Sequence, residues 1–361
     1  MKVVWSELRY QPKKYILIEL LIVLMIFMVI FLTGLTNGLG RAVSAQIDNY
    51  GNKTYLLSED AEGIITFSNI SKDLDHTIED LALKDKAELV IQRSGVQLGN
   101  NAQSKDLTYF AIEKSDLLNP KIVEGKALSA KEGEIVLDSS FKETLSIGSS
   151  IRDKASQMPL KVVGFTDDAM YGHSAVGFIT PKTFETMKKA SNPQYQWQAQ
   201  AIVTSDVIKP KKLPKELKAY QKEDIITKIP GYQAEHLTLT MITWVLLIAS
   251  SAILGVFFYI LTLQKLKQFG VLKAIGMSMT AITGIQLSQI SLLSLFGLVT
   301  GLGLTSLLAS ILPSAMPFYL KTSNVLLVSL SFLVISISCG ALSLFKVRQV
   351  DPVEVIGGNG E

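Results

Sequence analysis

The sequence predicts a membrane protein of four transmembrane α-helices, with a large external α+β domain between the first and second. Three observations predict this class. The 361-residue chain is 48% hydrophobic and only 19% charged, less charge than ordinary globular chains carry. Its mean hydropathy is +0.31. The charges are also unevenly spread: none lies between Glu235 and Lys265, between Lys273 and Lys321, or between Lys321 and Lys346. A soluble single domain is excluded.

A bilayer core of about 30 Å takes roughly 20 apolar residues in a helix. The first such run is Tyr15–Thr36, with Glu19 as its one charge, expected to snorkel or cap near the membrane edge. The second is Leu237–Leu263. The third lies within Ala281–Leu312, longer than one span needs, so it is expected to tilt, bend or extend beyond the bilayer. The fourth is Thr322–Phe345.

Basic residues orient the spans. Lys2, Arg9, Lys13 and Lys14 precede span one; Lys265, Lys267 and Lys273 separate spans two and three; Lys346 and Arg348 follow span four. Only Lys321 lies between spans three and four. Both termini and the 264–280 loop are therefore expected on the cytoplasmic side of the plasma membrane. The resulting division is 1–37 (tail and span one), 38–235 (external domain), 236–263 (span two), 264–280 (cytoplasmic loop), 281–312 (span three), 313–321 (short external loop), 322–345 (span four) and 346–361 (cytoplasmic tail). Ala42-Val43-Ser44-Ala45 resembles a signal-peptidase site, but the apolar run before it is too long for a signal core, so an uncleaved span is expected.

The external segment reads as mixed α and β. Glu134–Leu137, Leu160–Phe165 and Ala175–Ile179 are β-rich runs. Ser71–Lys86 and Thr183–Ala190 show helical spacing. Asp167-Asp168 and Asn192-Pro193 read as turns, and Lys209–Lys218 as a solvated connection.

Motifs for catalysis are missing. The sequence has no Gly-x-x-x-x-Gly-Lys-Ser/Thr loop for ATP phosphates, no His-Glu-x-x-His, no Gly-x-Ser-x-Gly and no Cys-x-x-Cys. Cys339 is the single cysteine, and His76, His173 and His236 are too scattered for a local metal motif. No catalytic residue, metal site or intrinsic cofactor is expected. A net charge of +3 is too mild to argue for nucleic acid. Any work this chain does needs energy from another chain.

Short motifs carry a family resemblance. Gly270-Val271-Leu272-Lys273-Ala274-Ile275-Gly276 and the tail Asp351-Pro352-Val353-Glu354-Val355-Ile356 are similar to signatures of the FtsX-like permeases of MacB-type ABC transporters. Gly133–Leu137 followed by Lys161–Phe165 also resembles that family, as does the order of one span, a large domain and three spans. Met170–Ser174, Tyr232–Glu235, Phe257–Tyr259, Met316–Leu320 and Ile356–Gly358 are similar, more narrowly, to the permeases of bacterial haem exporters. The resemblance implies a homodimer served by two cytoplasmic ATPase subunits that bind the ATP. It implies mechanotransmission, in which ATPase closure moves the spans and external domains. The expected cargo is haem taken from the membrane or outer leaflet. The alternatives are another lipophilic drug, peptide or lipoprotein, or regulation of a cell-wall hydrolase.

Within the 264–280 loop, Leu266, Phe269, Leu272 and Ile275 form an apolar stripe at helical spacing, with Lys265, Lys267 and Lys273 around it. Spacing alone leaves a membrane-surface helix and a helix docked in a partner's groove equally open. The resemblance implies the second, an ATPase-coupling helix including Lys273. Gly34-x-x-x-Gly38 and Gly297-x-x-x-Gly301 permit close helix packing, within the chain on the bland reading. The resemblance implies that Gly34 and Gly38 meet a second copy. Tyr171, Tyr232, Met170, His173 and Glu235 are candidate haem contacts, because phenols, imidazoles, thioethers and carboxylates can ligate haem iron. On residue type alone, Tyr232 reads as an interfacial aromatic and Tyr171 as a core or hinge tyrosine.

Overall fold

The computed structural model describes residues 9–98, 104–113, 115–208, 213–313 and 316–345. The tail motif at 351–356 lies outside the described residues, as do Lys2, Lys346, Arg348 and positions 209–212. The chain divides into two compact units, one comprising residues up to Gly38 and from Leu237 onward, the other Leu39–His236.

Among the described residues, four helices are long and apolar enough to cross a membrane: α1 (Pro12–Asn49), α5 (Tyr232–Gln264), α7 (Met279–Ile311) and α8 (Thr322–Phe345). The short α6 (Leu266–Ala274) joins α5 to α7. The third apolar run is one helix of 33 residues, about 50 Å long at 1.5 Å per residue. In hydrocarbon, packing of small residues replaces the hydrophobic drive between helices. Gly297 and Gly301 of α7 accordingly receive Ile22 and Ile26 of α1, and Gly340 of α8 receives Ile290. Phe258 and Phe332 are fully buried among these helices. Leu17, Leu20, Leu24 and Met28 remain exposed on α1, as a lipid-facing stripe should. Glu19 does not snorkel: both carboxyl oxygens are buried, and Oε1 lies beside Gly297.

Gly34 and Gly38, which the resemblance pairs with a second copy, pack within the chain against Phe318 and Pro317. A Cβ on Gly38 would overlap the Pro317 backbone, and one on Gly34 would overlap the Phe318 ring. The Tyr319 N–H donates to the Gly34 carbonyl at 3.0 Å, and Asn324 Nδ2 donates to Asn37 Oδ1 at 2.7 Å. The glycine face seats the chain's own 316–320 loop.

The second unit is built on a mixed sheet. Its strands are β1 (Thr54–Ser58), β2 (Ala87–Leu98), β3 (Ser104–Ile112), β4 (Ile122–Gly125), β5 (Glu134–Asp138), β6 (Ser150–Asp153), β7 (Pro159–Thr166), β8 (Met170–Tyr171), β9 (Ser174–Ile179), β10 (Ala201–Thr204) and β11 (Leu217–Gln221). The path is β11-β1-β10-β2-β3-β9-β5-β7-β4; β6 pairs with β2 and β7, and β8 with β9. The β3–β9 and β5–β7 pairs are parallel. Both faces of the central strands are covered. Leu89, Ile91, Phe110 and Phe178 enter one core, while Val90, Tyr109, Ala111 and Ile179 enter the other. Burial on both faces makes the stretches Leu89–Ile91, Tyr109–Ile112 and Ala175–Ile179 read as continuous apolar runs rather than alternations.

The expected helix over Ser71–Lys86 is much shorter. A 3-10 turn at Lys72–Leu74 leads into α2 (Asp75–Asp80), and Ala82 at φ 47° breaks the run. The Thr183–Ala190 expectation corresponds to α3 (Pro181–Ser191), capped by Thr180 Oγ1 accepting the Thr183 N–H and started by Pro181. The connection expected to run to Lys218 stops earlier, because buried Leu217 opens β11. A last short helix, α4 (Lys222–Lys228), precedes α5.

Candidate functional site

The candidate site is built around the hairpin β8–β9. Gly172 and His173 have φ of 57° and 60°, the two positive values of a type I′ turn, whose twist matches paired strands. The turn's amides do not face water. Gly172 N–H donates to the Val43 carbonyl and His173 N–H to the Ala42 carbonyl, each at 3.0 Å. The Ala42–Ala45 stretch is thus a helical docking surface, with Val43 and Ala45 buried. A second tie holds the same corner. Arg41 forms an ion pair with Asp168, itself at φ 57°, and Asn49 Nδ2 donates to the Asp168 carbonyl at 2.8 Å.

The turn projects His173 toward the first turn of α5. Its Nε2 lies 3.1 and 3.0 Å from the two oxygens of Glu235. Glu235 sits where a helix N-terminus favours an acid. Both side chains are nearly half exposed, at 42% and 45%. One residue on, His236 stacks on Tyr232 with ring centroids 5.4 Å apart and planes 16° from parallel. Gly40 of α1 faces this stack, and a Cβ there would lie 3.8 Å from the Tyr232 ring. Glu235 engages Nε2, so Nδ1 is the ring nitrogen that the carboxylate does not meet. The cluster thus offers an oriented imidazole, a carboxylate and a stacked phenol–imidazole pair to one accessible surface.

Of the candidate haem contacts, the structure brings together Tyr232, His173 and Glu235. It separates Met170 and Tyr171 from them. Successive strand residues face opposite ways, so Met170 packs against one core and Tyr171 enters the other. The Tyr171 ring is 6% exposed and meets Phe110 edge-on at 5.5 Å. Burial pushes its hydroxyl pKa up, against the phenolate that binds ferric iron. The link from Tyr171 to the surface is indirect: Tyr232 packs against the core that Tyr171 completes. His236 was not among the candidates. Its signal was available, since Tyr232 and His236 are four apart and share a helix face.

The coupling stripe also needs correction. Phe269 is buried with Ile282 and Leu344, and Leu266 and Leu272 pack against that cluster. The stripe therefore holds α6 to its own bundle. Ile275, past the helix end, is 74% exposed, and Val271 is 54% exposed. With Lys267 and Gln268 they form the outward face, while Lys273 is partly covered. Lys265, just before α6, is buried, with Nζ donating to Gln289 Oε1 at 2.5 Å and Gln286 Oε1 at 3.3 Å.

Comparison with known proteins places this architecture. Residues 16–220, more than half of the chain, match the MacB-like periplasmic core domain, and residues 240–352 match the FtsX-like permease C-terminal domain. The chain is 28% identical over 364 residues to the putative hemin transport system permease protein HrtB of Staphylococcus haemolyticus, covering 99% of each. It is 26% identical to the protein of that name from Staphylococcus epidermidis, again over 99% of each. Among solved structures, the periplasmic region of MacB from Actinobacillus actinomycetemcomitans aligns with 53% of this chain and 95% of its own, at 12% identity and TM-score 0.33. With both family domains in order along four apolar helices, the chain belongs to the MacB/FtsX-like family of ABC transporter permeases, multi-pass membrane subunits with an extracellular domain between helices one and two.

Proposed function

We propose that this permease exports haem, using ATP hydrolysed by a separate cytoplasmic ATPase. The observation that carries the reading is the end-to-end match to two proteins named as hemin transport permeases. The chemistry of the His173–Glu235–Tyr232–His236 surface supports it. A porphyrin is planar and mostly apolar, which suits a flat stacked pair, and its iron takes imidazole or phenolate ligands. Tyr232, Glu235 and His236 directly precede the uncharged run that begins at Leu237. Haem partitions into bilayers, so capture from the outer leaflet follows. Both termini and α6 lie in the cytoplasm on this reading, as the basic residues favour. The permease works as a homodimer with two ATPase subunits. Closure of the ATPase pair displaces α6, and the spans and external domains rearrange in response, the sense of mechanotransmission.

The test is a haem titration of the purified permease followed by absorbance, with haem-toxicity rescue in cells that also express the ATPase. Wild type is expected to shift the Soret band stoichiometrically. Tyr232→Ala and His236→Ala are expected to weaken the shift and the rescue. Binding that survives both keeps the cargo and removes this surface. No binding and no rescue moves the function to another lipophilic cargo or to control of a cell-wall hydrolase.

A further inference from the structure

The packing of α1 on α7 sets a register. Ile22 meets Gly297 and Ile26 meets Gly301, the same separation in each pair, so the helices run parallel along this contact. In that register Glu19 is level with Ser294, and Tyr15 is level with Ile290, next to Gln289. Ser294 is 0% exposed. Its hydroxyl and both Glu19 carboxyl oxygens are buried and have no hydrogen-bond partner among the described residues. Two orphaned polar groups therefore occupy one level of an apolar bundle. A buried carboxylate must be paired or neutralised.

The surrounding helices restrict how. Residues 237–264, 279–311 and 322–345 contain no Asp, Glu, Lys or Arg. The titratable side chains in those stretches are Tyr259 and Cys339, and Cys339 packs on Gly255. On α1, Tyr15 lies one turn before Glu19. At the Tyr15 level, one turn from Glu19, lies Lys265, whose Nζ binds Gln286 and Gln289 and sits 5.8 Å from the Tyr15 ring centroid.

We propose that Glu19 and Ser294 form a proton-binding site inside the membrane unit, with its occupancy set by the position of Lys265. One proton passes from hydronium to a Glu19 carboxylate oxygen, leaving water; no electrons move. The neutral carboxyl then donates to Ser294 Oγ, which pairs the hydroxyl with one of the two carboxyl oxygens. Lys265 is the residue before α6, so displacement of α6 carries the ammonium toward or away from Glu19. Approach favours the carboxylate and releases the proton; withdrawal favours the carboxyl. Proton occupancy is thereby tied to the motion of the segment that faces the ATPase.

The test is infrared spectroscopy of the full-length permease in lipid nanodiscs, titrated in pH. Wild type is expected to show a protonated-carboxyl C=O stretch that persists above the range where surface carboxyls titrate. It should shift on deuteration and on labelling with carbon-13 glutamate. Glu19→Gln should remove it. Ser294→Ala should move its frequency by deleting the acceptor, which assigns the band even if the glutamine variant fails to fold. Lys265→Met should raise its midpoint, by about one pH unit if the ammonium acts within its usual reach. No such band in wild type overturns the site. An unmoved midpoint in Lys265→Met overturns the coupling. Loss of the band at fixed pH when sodium chloride replaces choline chloride overturns the proton and assigns the site to a metal cation.

Discussion

Replacing Tyr171 with phenylalanine should leave haem binding and stability almost unchanged, whereas replacing it with alanine should cost both. The ring is 6% exposed and packs edge-on against Phe110. Phenylalanine keeps that ring and removes only the hydroxyl, a change worth about 1 kcal/mol or less. Alanine leaves a cavity in the core that also contains Tyr50, Tyr55, Phe110 and Phe178, and truncation of a buried aromatic costs about 3–5 kcal/mol. Loss of that packing would also loosen Tyr232, which rests on the same core. The assay pairs thermal unfolding of the purified permease with haem titration. The expected pattern is an alanine variant with lowered Tm and weakened haem binding, and a phenylalanine variant close to wild type in both. A phenylalanine variant with normal Tm and abolished haem binding would refute the reasoning, because only a ligating hydroxyl would produce it.

Gly38→Ala should destabilise the membrane unit by about 1–3 kcal/mol as an overpacking change, since its Cβ meets Pro317 backbone, which cannot rotate away. Gly34→Ala should cost less, because it meets the Phe318 ring; thermal unfolding in detergent ranks the two. Ile275→Glu on the exposed end of α6 should lower ATPase activity of the assembled transporter at unchanged permease Tm, whereas Phe269→Ala should lower Tm itself. Asp85 accepts the Ser205 backbone N–H at 2.7 Å and the Thr204 hydroxyl at 3.0 Å, and the first of these chiefly holds its carboxyl below the usual range. A depressed folded-state pKa contributes stability that is present above the unfolded value of about 3.9 and is lost as pH falls through the folded one. Acid unfolding of Asp85→Asn should accordingly show a shallower pH dependence there than wild type.

The membrane helices were legible because the sequence lacks charge over long runs, a signal that needs no tertiary knowledge. The strands β5, β7 and β9 were legible for a similar reason, being short apolar runs between turn residues. The long hairpin β2–β3 was not. Gln92, Arg93, Ser94 and Gly95 interrupt its apolar pattern, and its partners lie far apart in sequence, including β6 and β9. The glycine pairs show a further limit. Gly34-x-x-x-Gly38 and Gly297-x-x-x-Gly301 carry the same small-residue signal, yet one seats a loop and the other a helix. Spacing announces close approach and does not name what approaches.

The division within Met170–Ser174 follows from strand geometry once the turn is located. In a two-residue hairpin the positions flanking the loop are paired, and here Tyr171 pairs with Ser174. Both are buried, and the alternation sends Met170 to the other face. The two loop residues need positive φ, which Gly172 meets without strain and His173 meets with its amide held by the Ala42 carbonyl. A histidine at a hairpin tip cannot share a surface with the strand residue two before it, which is fixed into the sheet. Three side chains that sequence alone groups as one haem-contact motif therefore go to three destinations, and only the tip reaches Glu235. The partners that complete the accessible cluster come instead from the helix face of Tyr232 and His236, more than fifty positions later in the chain.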